Sequence, residues 1–129
     1  MKRRRTSFLI SPKDRHDARV LLEAACEAYD SGNLTTAVRN FKRSAALGSV
    51  EAKVNLGNLY SEGEGVVKNT LLAKQLYKSA FRQGSAYGAT ALGSQYRNEG
   101  KTKLAKVWYG RAAAMGEEWA REYLAELPD

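Results

Sequence analysis

The feature that most constrains this chain is an internal repeat. An alanine, an aromatic ring, a small residue and a glycine recur in that order three times, at positions 37, 41, 44 and 48, then 73, 77, 80 and 84, then 105, 109, 112 and 116. A second pattern alternates with it, in which Leu56-Gly57 and Leu92-Gly93 each precede a tyrosine by three residues. A pattern repeated in tandem at this spacing is typical of solenoids, in which each unit leaves an apolar face that only a neighbouring unit covers. Two alternating helix types in tandem are therefore expected.

Apolar spacings of three and four residues predict seven helices. One type, named A here, is predicted over about 14–30, 50–61, 85–98 and 117–127, and the other, named B, over about 35–47, 70–84 and 102–115. The last A helix has no B partner, as expected of a cap. The loop between the second A helix and its B helix is predicted to be longer than the other two A-to-B loops, and it contains two glycines.

Composition excludes several classes of protein. The 129 residues are 43% hydrophobic and contain no apolar run that approaches a membrane span or a secretory signal. The single cysteine, Cys26, cannot form an intramolecular disulfide, which favours a reducing, cytoplasmic location. Residues 1–12 are predicted to form a basic flexible arm and residues 13–129 the repeat domain, with the helix start at Ser11-Pro12. Lys2 to Arg5 are interpreted as a solvated tail or a nuclear address.

Residues 18–127 resemble the Sel-one-like (Sel1-like) repeat, a relative of the tetratricopeptide repeat, and the match is most specific over residues 52–84. The resemblance is carried by Ala52, Leu56-Gly57, Tyr60, Gly63-x-Gly65-Val66, Ala73, Tyr77-Lys78, Ala80 and Gly84. The third unit keeps most of this pattern, while the first has Ala25-Cys26 in place of Leu-Gly. The resemblance implies an all-α, right-handed α-solenoid of about three helix-turn-helix repeats plus a C-terminal capping helix. It also implies a scaffold for protein binding, without catalysis.

By analogy with tetratricopeptide proteins, the A helices are expected to line a groove that holds a protein partner. Helical spacing selects positions that flank the Leu-Gly core: Glu23, Glu27, Val54, Asn58, Glu62, Tyr87, Thr90, Ser94, Arg97, Trp119, Glu122 and Glu126. The rim of this groove is acidic and its centre is neutral and polar. Tyr87 and Trp119 are the expected anchors, since aromatic residues dominate binding hot spots. The alternative for Trp119 is that it packs the last helix.

The B helices are basic. No Asp or Glu occurs over residues 33–46, 66–83 or 101–115, and Lys74, Lys78 and Arg82 are spaced to share one helical face. This face is interpreted as a basic convex surface, either simply solvated or able to meet an anion. The net charge of +7 is concentrated in the first 20 residues, which contain seven basic and two acidic residues. The other 109 contain fourteen and twelve, so nucleic acid ranks below protein as a partner.

No catalytic or metal-binding pattern is evident in the sequence. His16 is the only histidine and Cys26 the only cysteine, and one residue of each type is too few for a zinc site. On one helix the two residues are about 15 Å apart, so they cannot form a catalytic dyad. Gly63-x-Gly65 lacks the lysine of a phosphate-binding loop. We therefore expect no enzyme, no cofactor and no metal.

Three functions stay open, in order of preference. The first is a protein-interaction adaptor or scaffold, with a basic or amphipathic peptide as the partner that suits the acidic groove. The second is a bacterial immunity or antitoxin protein that sequesters a cognate toxin. The third is a nucleic-acid-binding protein that uses the basic face and the arm. Self-association through the end repeats also stays open.

Overall fold

The computed structural model describes residues 10–129, and this range contains seven α-helices and no β-strand. The A helices are α1, α3, α5 and α7, the B helices are α2, α4 and α6, and their bounds in chain order are Pro12–Asp30, Leu34–Ala46, Val50–Glu62, Thr70–Arg82, Ala86–Asn98, Thr102–Ala114 and Glu118–Glu126. The predicted helices are thus confirmed to within about two residues. The predicted arm lies outside the described residues, except for Ile10 to Pro12.

Local capping explains most of the helix starts. The Ser11 hydroxyl accepts a hydrogen bond from the backbone amide of Asp14, with Pro12 as the first helical residue. Asn33, Asn69 and Ser85 cap α2, α4 and α5 in the same way. Each cap satisfies one of the amides that a helix start leaves unpaired. These starts are therefore encoded by residues within the first turn.

A glycine follows the end of each B helix. Gly48, Gly84 and Gly116 have φ angles of +103°, +97° and +97°, a left-handed conformation that residues with a Cβ atom rarely adopt. This is the physical reason why the repeated pattern ends in glycine. Each turn then leads directly into the next A helix.

The other members of the repeated pattern are buried. The alanine, the ring and the small residue are at most 3% exposed in all three B helices: Ala37, Phe41, Ser44, Ala73, Tyr77, Ala80, Ala105, Tyr109 and Ala112. Alanines let the helix axes approach closely, and the rings fill the remaining space. The repeat in the sequence is thus a repeat of the core.

The helices form two compact units. The first ends at Ala52 and contains α1 packed against α2, where the Ser44 hydroxyl donates to the carbonyl oxygen of Ala18 at 2.6 Å. The second, Lys53–Asp129, contains most of α3 and helices α4 to α7, with α5 packed on both α4 and α6 and α6 packed on α7. The predicted long loop lies in this second unit, between α3 and α4, and its Gly63 and Gly65 both have positive φ.

Candidate interaction surface

Two predicted groove residues of the second unit hold the tyrosines of the B helices. The Tyr77 hydroxyl donates to Asn58 Oδ1 at 2.7 Å, and the Tyr109 hydroxyl lies 2.7 Å from Ser94 Oγ. Asn58 and Ser94 each follow the glycine of the Leu-Gly pair, so the same arrangement occurs twice. Both side chains are thereby oriented by the core, although Asn58 stays exposed.

The glycines beside these residues make room for the tyrosine rings. A Cβ atom on Gly57 would lie 2.6 Å from Tyr77 Cε1, and one on Gly93 would lie 2.7 Å from Tyr109 Cδ1. Neither distance allows a methyl group without a shift of the ring. Burial raises the pKa of Tyr77 to about 12, because it disfavours the charged form of the hydroxyl.

Val54 and Thr90 were expected at the centre of the groove, and both are half-buried. Val54 packs against the core cluster formed by Ala73, Tyr77 and Leu92. The Thr90 hydroxyl donates to the carbonyl oxygen of Ala86, one turn earlier in the same helix. These two residues contribute more to packing and to helix α5 than to an open surface.

Tyr87 and Trp119 are strongly exposed. Tyr87 is 66% and Trp119 is 59% exposed, so Trp119 does not pack the last helix. Tyr87 is the second residue of α5 and Trp119 the second residue of α7, and each lies three residues after the glycine that precedes its helix. They therefore occupy equivalent positions of consecutive A helices.

The charged residues of the predicted rim are exposed. Arg97 near the end of α5 and Glu126 at the end of α7 form an ion pair at 3.5 Å, which connects the C-terminal ends of the two A helices. Glu62 and Glu122 are exposed at the end of α3 and in the middle of α7. In the first unit, Glu27 is exposed, and Glu23 accepts a hydrogen bond from Arg19 at 3.1 Å.

The basic row on α4 differs from its expected form. Lys74 is only 16% exposed and pairs with Glu99 at 3.0 Å, and its ammonium group lies 4.9 Å from the centre of the Tyr96 ring. Lys78 is half-buried, and of the three only Arg82 is exposed. Lys74 is therefore not one of three open cations, because the carboxylate of Glu99, the residue that follows the next A helix, pairs with it.

Sequence reasoning missed the polar network around Glu99. Ser61 donates to Gln95 at 2.8 Å, Gln95 donates to Glu99 at 3.1 Å, and Lys101 lies 3.3 Å from Glu99. Hydrogen bonds from Lys74, Gln95 and Lys101 outweigh partial burial and lower the pKa of Glu99 below its ordinary value. The only signal in the sequence was the spacing of four residues between Gln95 and Glu99.

A second missed residue is Lys53, at the start of the second unit. Its ammonium group donates to Ser79 Oγ at 2.9 Å and to Gln83 Oε1. Burial lowers its pKa, and no carboxylate pairs with it among the described residues. Lys53 ties α3 to the last turn of α4, where cations interact favourably with the helix dipole.

The first unit contains an open cleft of about 550 Å³, lined by Ile10, Arg15, His16, Ala18, Arg19, Leu22, Leu47, Gly48 and Ser49. Its cations have internal partners, since Arg15 donates to the carbonyl oxygen of Ile10 and Arg19 to Glu23. Cys26 is half-buried, and burial raises the pKa of its thiol. Over residues 10–129 no group of three His, Cys, Asp or Glu side chains is arranged to hold a metal ion.

None of the helices within residues 10–129 combines the length and the apolar character that crossing a membrane requires.

Comparisons with known proteins agree with this geometry. The Sel1 repeat pattern matches residues 9–30, 31–49, 50–85 and 87–117. The crystal structure of a Sel1 repeat protein from Oxalobacter formigenes is similar, with 28% identity over 88% of this chain and 91% of that one and a TM-score of 0.71. No curated protein is significantly similar. Sel1 repeats generally form protein-interaction modules and are typically non-catalytic. The chain belongs to the Sel1 repeat family, with the α-solenoid fold of its helical repeats.

Proposed function

We propose that this protein is a non-enzymatic adaptor that binds a protein partner through the A helices of its second unit. The observation that carries the proposal is the exposure of Tyr87 and Trp119 at equivalent positions of α5 and α7. Large exposed rings are costly to leave in water and are enriched in binding hot spots. Family membership supports an interaction role in general.

The proposed surface is narrower than the groove expected from the sequence. It comprises the exposed residues Tyr87, Arg97, Trp119, Glu122 and Glu126. Val54, Thr90 and Ser94 are half-buried and make internal contacts, and the exposed Asn58 accepts a hydrogen bond from Tyr77. Glu62 extends it toward the end of α3. The ion pair between Arg97 and Glu126 holds two of these side chains in place before binding, which reduces the entropy that they lose when the partner binds.

The test is affinity capture from the native lysate, with the proteins identified by mass spectrometry. The wild type is compared with the double variant Tyr87→Ala/Trp119→Ala. The matched control is Leu71→Ala/Leu104→Ala, which also truncates two exposed apolar side chains of the second unit, but on B helices. Circular dichroism checks that all three proteins are folded.

We expect a stoichiometric protein that the wild type and the control capture and the double variant does not. The identity of that protein also distinguishes an adaptor from an immunity protein, because the latter would capture a toxin. If the control loses the partner and the double variant keeps it, the binding surface lies on the B helices and the proposal is wrong. Recovery of nucleic acid alone would also contradict it.

A further inference from the structure

The surroundings of Trp119 indicate the chemistry of the partner, on the premise that the proposed function is right. Trp119, Glu122 and Glu126 are spaced at i, i+3 and i+7 on α7 and therefore lie along one face of the helix. Together with Tyr87 of α5, they form what we call the aromatic-acidic patch. All four side chains are exposed.

The net charge of the patch is negative. Glu126 is paired with Arg97 at 3.5 Å, but Glu122 forms no hydrogen bond or ion pair with any of the described residues. Arg121, the only basic residue of α7, follows Trp119 by two positions and so projects about 200° around the helix from it. Glu122 is therefore the unpaired carboxylate nearest to Trp119 along this face.

A ring and an unpaired carboxylate side by side favour a cation. The face of a tryptophan attracts guanidinium and ammonium groups, and the interaction strengthens as water is excluded. A neutral or acidic partner packed over Trp119 would desolvate Glu122 without compensation. An arginine or lysine would instead pair with Glu122 while its aliphatic stem covers the ring.

We propose that the partner binds the aromatic-acidic patch with a basic segment. One arginine or lysine side chain of that segment packs on Trp119 and pairs with Glu122. An apolar side chain of the same segment packs on Tyr87, which has no carboxylate one turn ahead on its own helix, since Thr90 and Ala91 occupy those positions.

A displayed library of random short peptides tests this chemistry without knowledge of the natural partner. Binders are selected on the wild-type protein after depletion on Trp119→Ala. We expect enrichment of peptides that combine arginine or lysine with an apolar residue. The proposal would be overturned if the selected peptides were acidic or showed no bias toward basic residues. It would also be overturned if no peptide were selected.

Titration of the best selected peptide tests the two contacts separately. Replacement of its key arginine by citrulline keeps the shape but removes the charge, and we expect about two- to fivefold weaker binding. Glu122→Gln should weaken the arginine peptide by a similar factor and leave the citrulline peptide unchanged. Glu117→Gln is the matched control and should have little effect. It removes a charge just before the same helix, makes no side-chain cap hydrogen bond and is not spaced at three or four residues from Trp119 or Glu122.

Equal affinity of the arginine and citrulline peptides would refute the basic-segment proposal. The two proposals fail separately. If the lysate partner depends on Tyr87 and Trp119 but the selected peptides are not basic, the adaptor function stands and only the partner chemistry is wrong. If the lysate partner is unaffected by the double variant, the surface itself is wrong.

Discussion

At the residue scale, the repeat is maintained by a contact between a glycine and a tyrosine ring. Gly57 faces Tyr77 and Gly93 faces Tyr109, and the following residue binds the tyrosine hydroxyl in both cases. The first copy has Cys26 in the glycine position and Phe41 in the ring position. The copy without the glycine is therefore also the copy whose ring has no hydroxyl to satisfy.

We predict that Gly93→Ala lowers the free energy of unfolding by about 1–3 kcal/mol, because its Cβ atom would overlap the Tyr109 ring. Gly110 is the matched control, since it is also a helix-interior glycine but faces open space. Gly110→Ala should be neutral or stabilising by about 0.5–1 kcal/mol. Thermal melts followed by circular dichroism compare the two, and equal effects would show that the close approach is unimportant.

At the scale of the elements, polar side chains connect helices that the apolar core already brings together. Ser61 of α3, Lys74 of α4, Gln95 of α5 and Lys101 in the turn after α5 are joined directly or indirectly to Glu99. A partly buried network of this kind is stable only when each member has a partner. It therefore specifies the register of α3 and α4 against α5.

Removal of the Glu99 carboxylate should destabilise the fold in a pH-dependent way. The pKa of Glu99 in the folded state lies below its ordinary value of 4.5, so its charge stabilises the fold above pH 4.5 and that contribution is lost as the pH falls through the lowered pKa. We expect Glu99→Gln to cost up to about 1 kcal/mol at neutral pH and progressively less in acid.

Melting temperatures between neutral and acidic pH measure this difference. Glu118→Gln is the control, because Glu118 is exposed and forms no ion pair within residues 10–129. A difference between wild type and Glu99→Gln that stays constant down to strongly acidic pH would contradict the role of the carboxylate.

At the scale of the whole molecule, each repeat of a solenoid leaves an apolar face that a neighbour must cover. Helix α7 covers the apolar face of α6. Ala120 is fully buried in the cluster that contains Tyr109 and Ala112, and the rings of Tyr109 and Tyr123 lie 5.4 Å apart. Leu124 and Leu127 pack against the same cluster. Helix α7 is thus a cap on its inner side and part of the proposed binding surface on its outer side.

Deletion of residues 117–129 should therefore expose this cluster. We predict a loss of about 2–5 kcal/mol in the free energy of unfolding and increased binding of a hydrophobic dye, because several apolar side chains lose their cover. Deletion of Pro128 and Asp129 alone is the control and should change little, since both are exposed. An unchanged melting temperature after the longer deletion would mean that α6 needs no cap.

The helices and the core could be read from the sequence because their determinants are local. The bond from Ser11 to Asp14 spans three residues, and Gly48 ends its helix through its own φ angle. The burial of Ala73, Tyr77 and their equivalents follows from helical periodicity repeated in register. These properties need no knowledge of how the helices pack.

Only the tertiary structure decided which polar side chains are paired and which are exposed. Lys74 meets a carboxylate 25 positions later in the chain and Asn58 meets a hydroxyl 19 positions later, so one is not an open cation and the other has a structural role. Periodicity gives the face of a helix but not the neighbour that covers it, and so it could not decide whether Trp119 was exposed. That depends on the distance and angle between helices, which side chains far apart in the sequence set together.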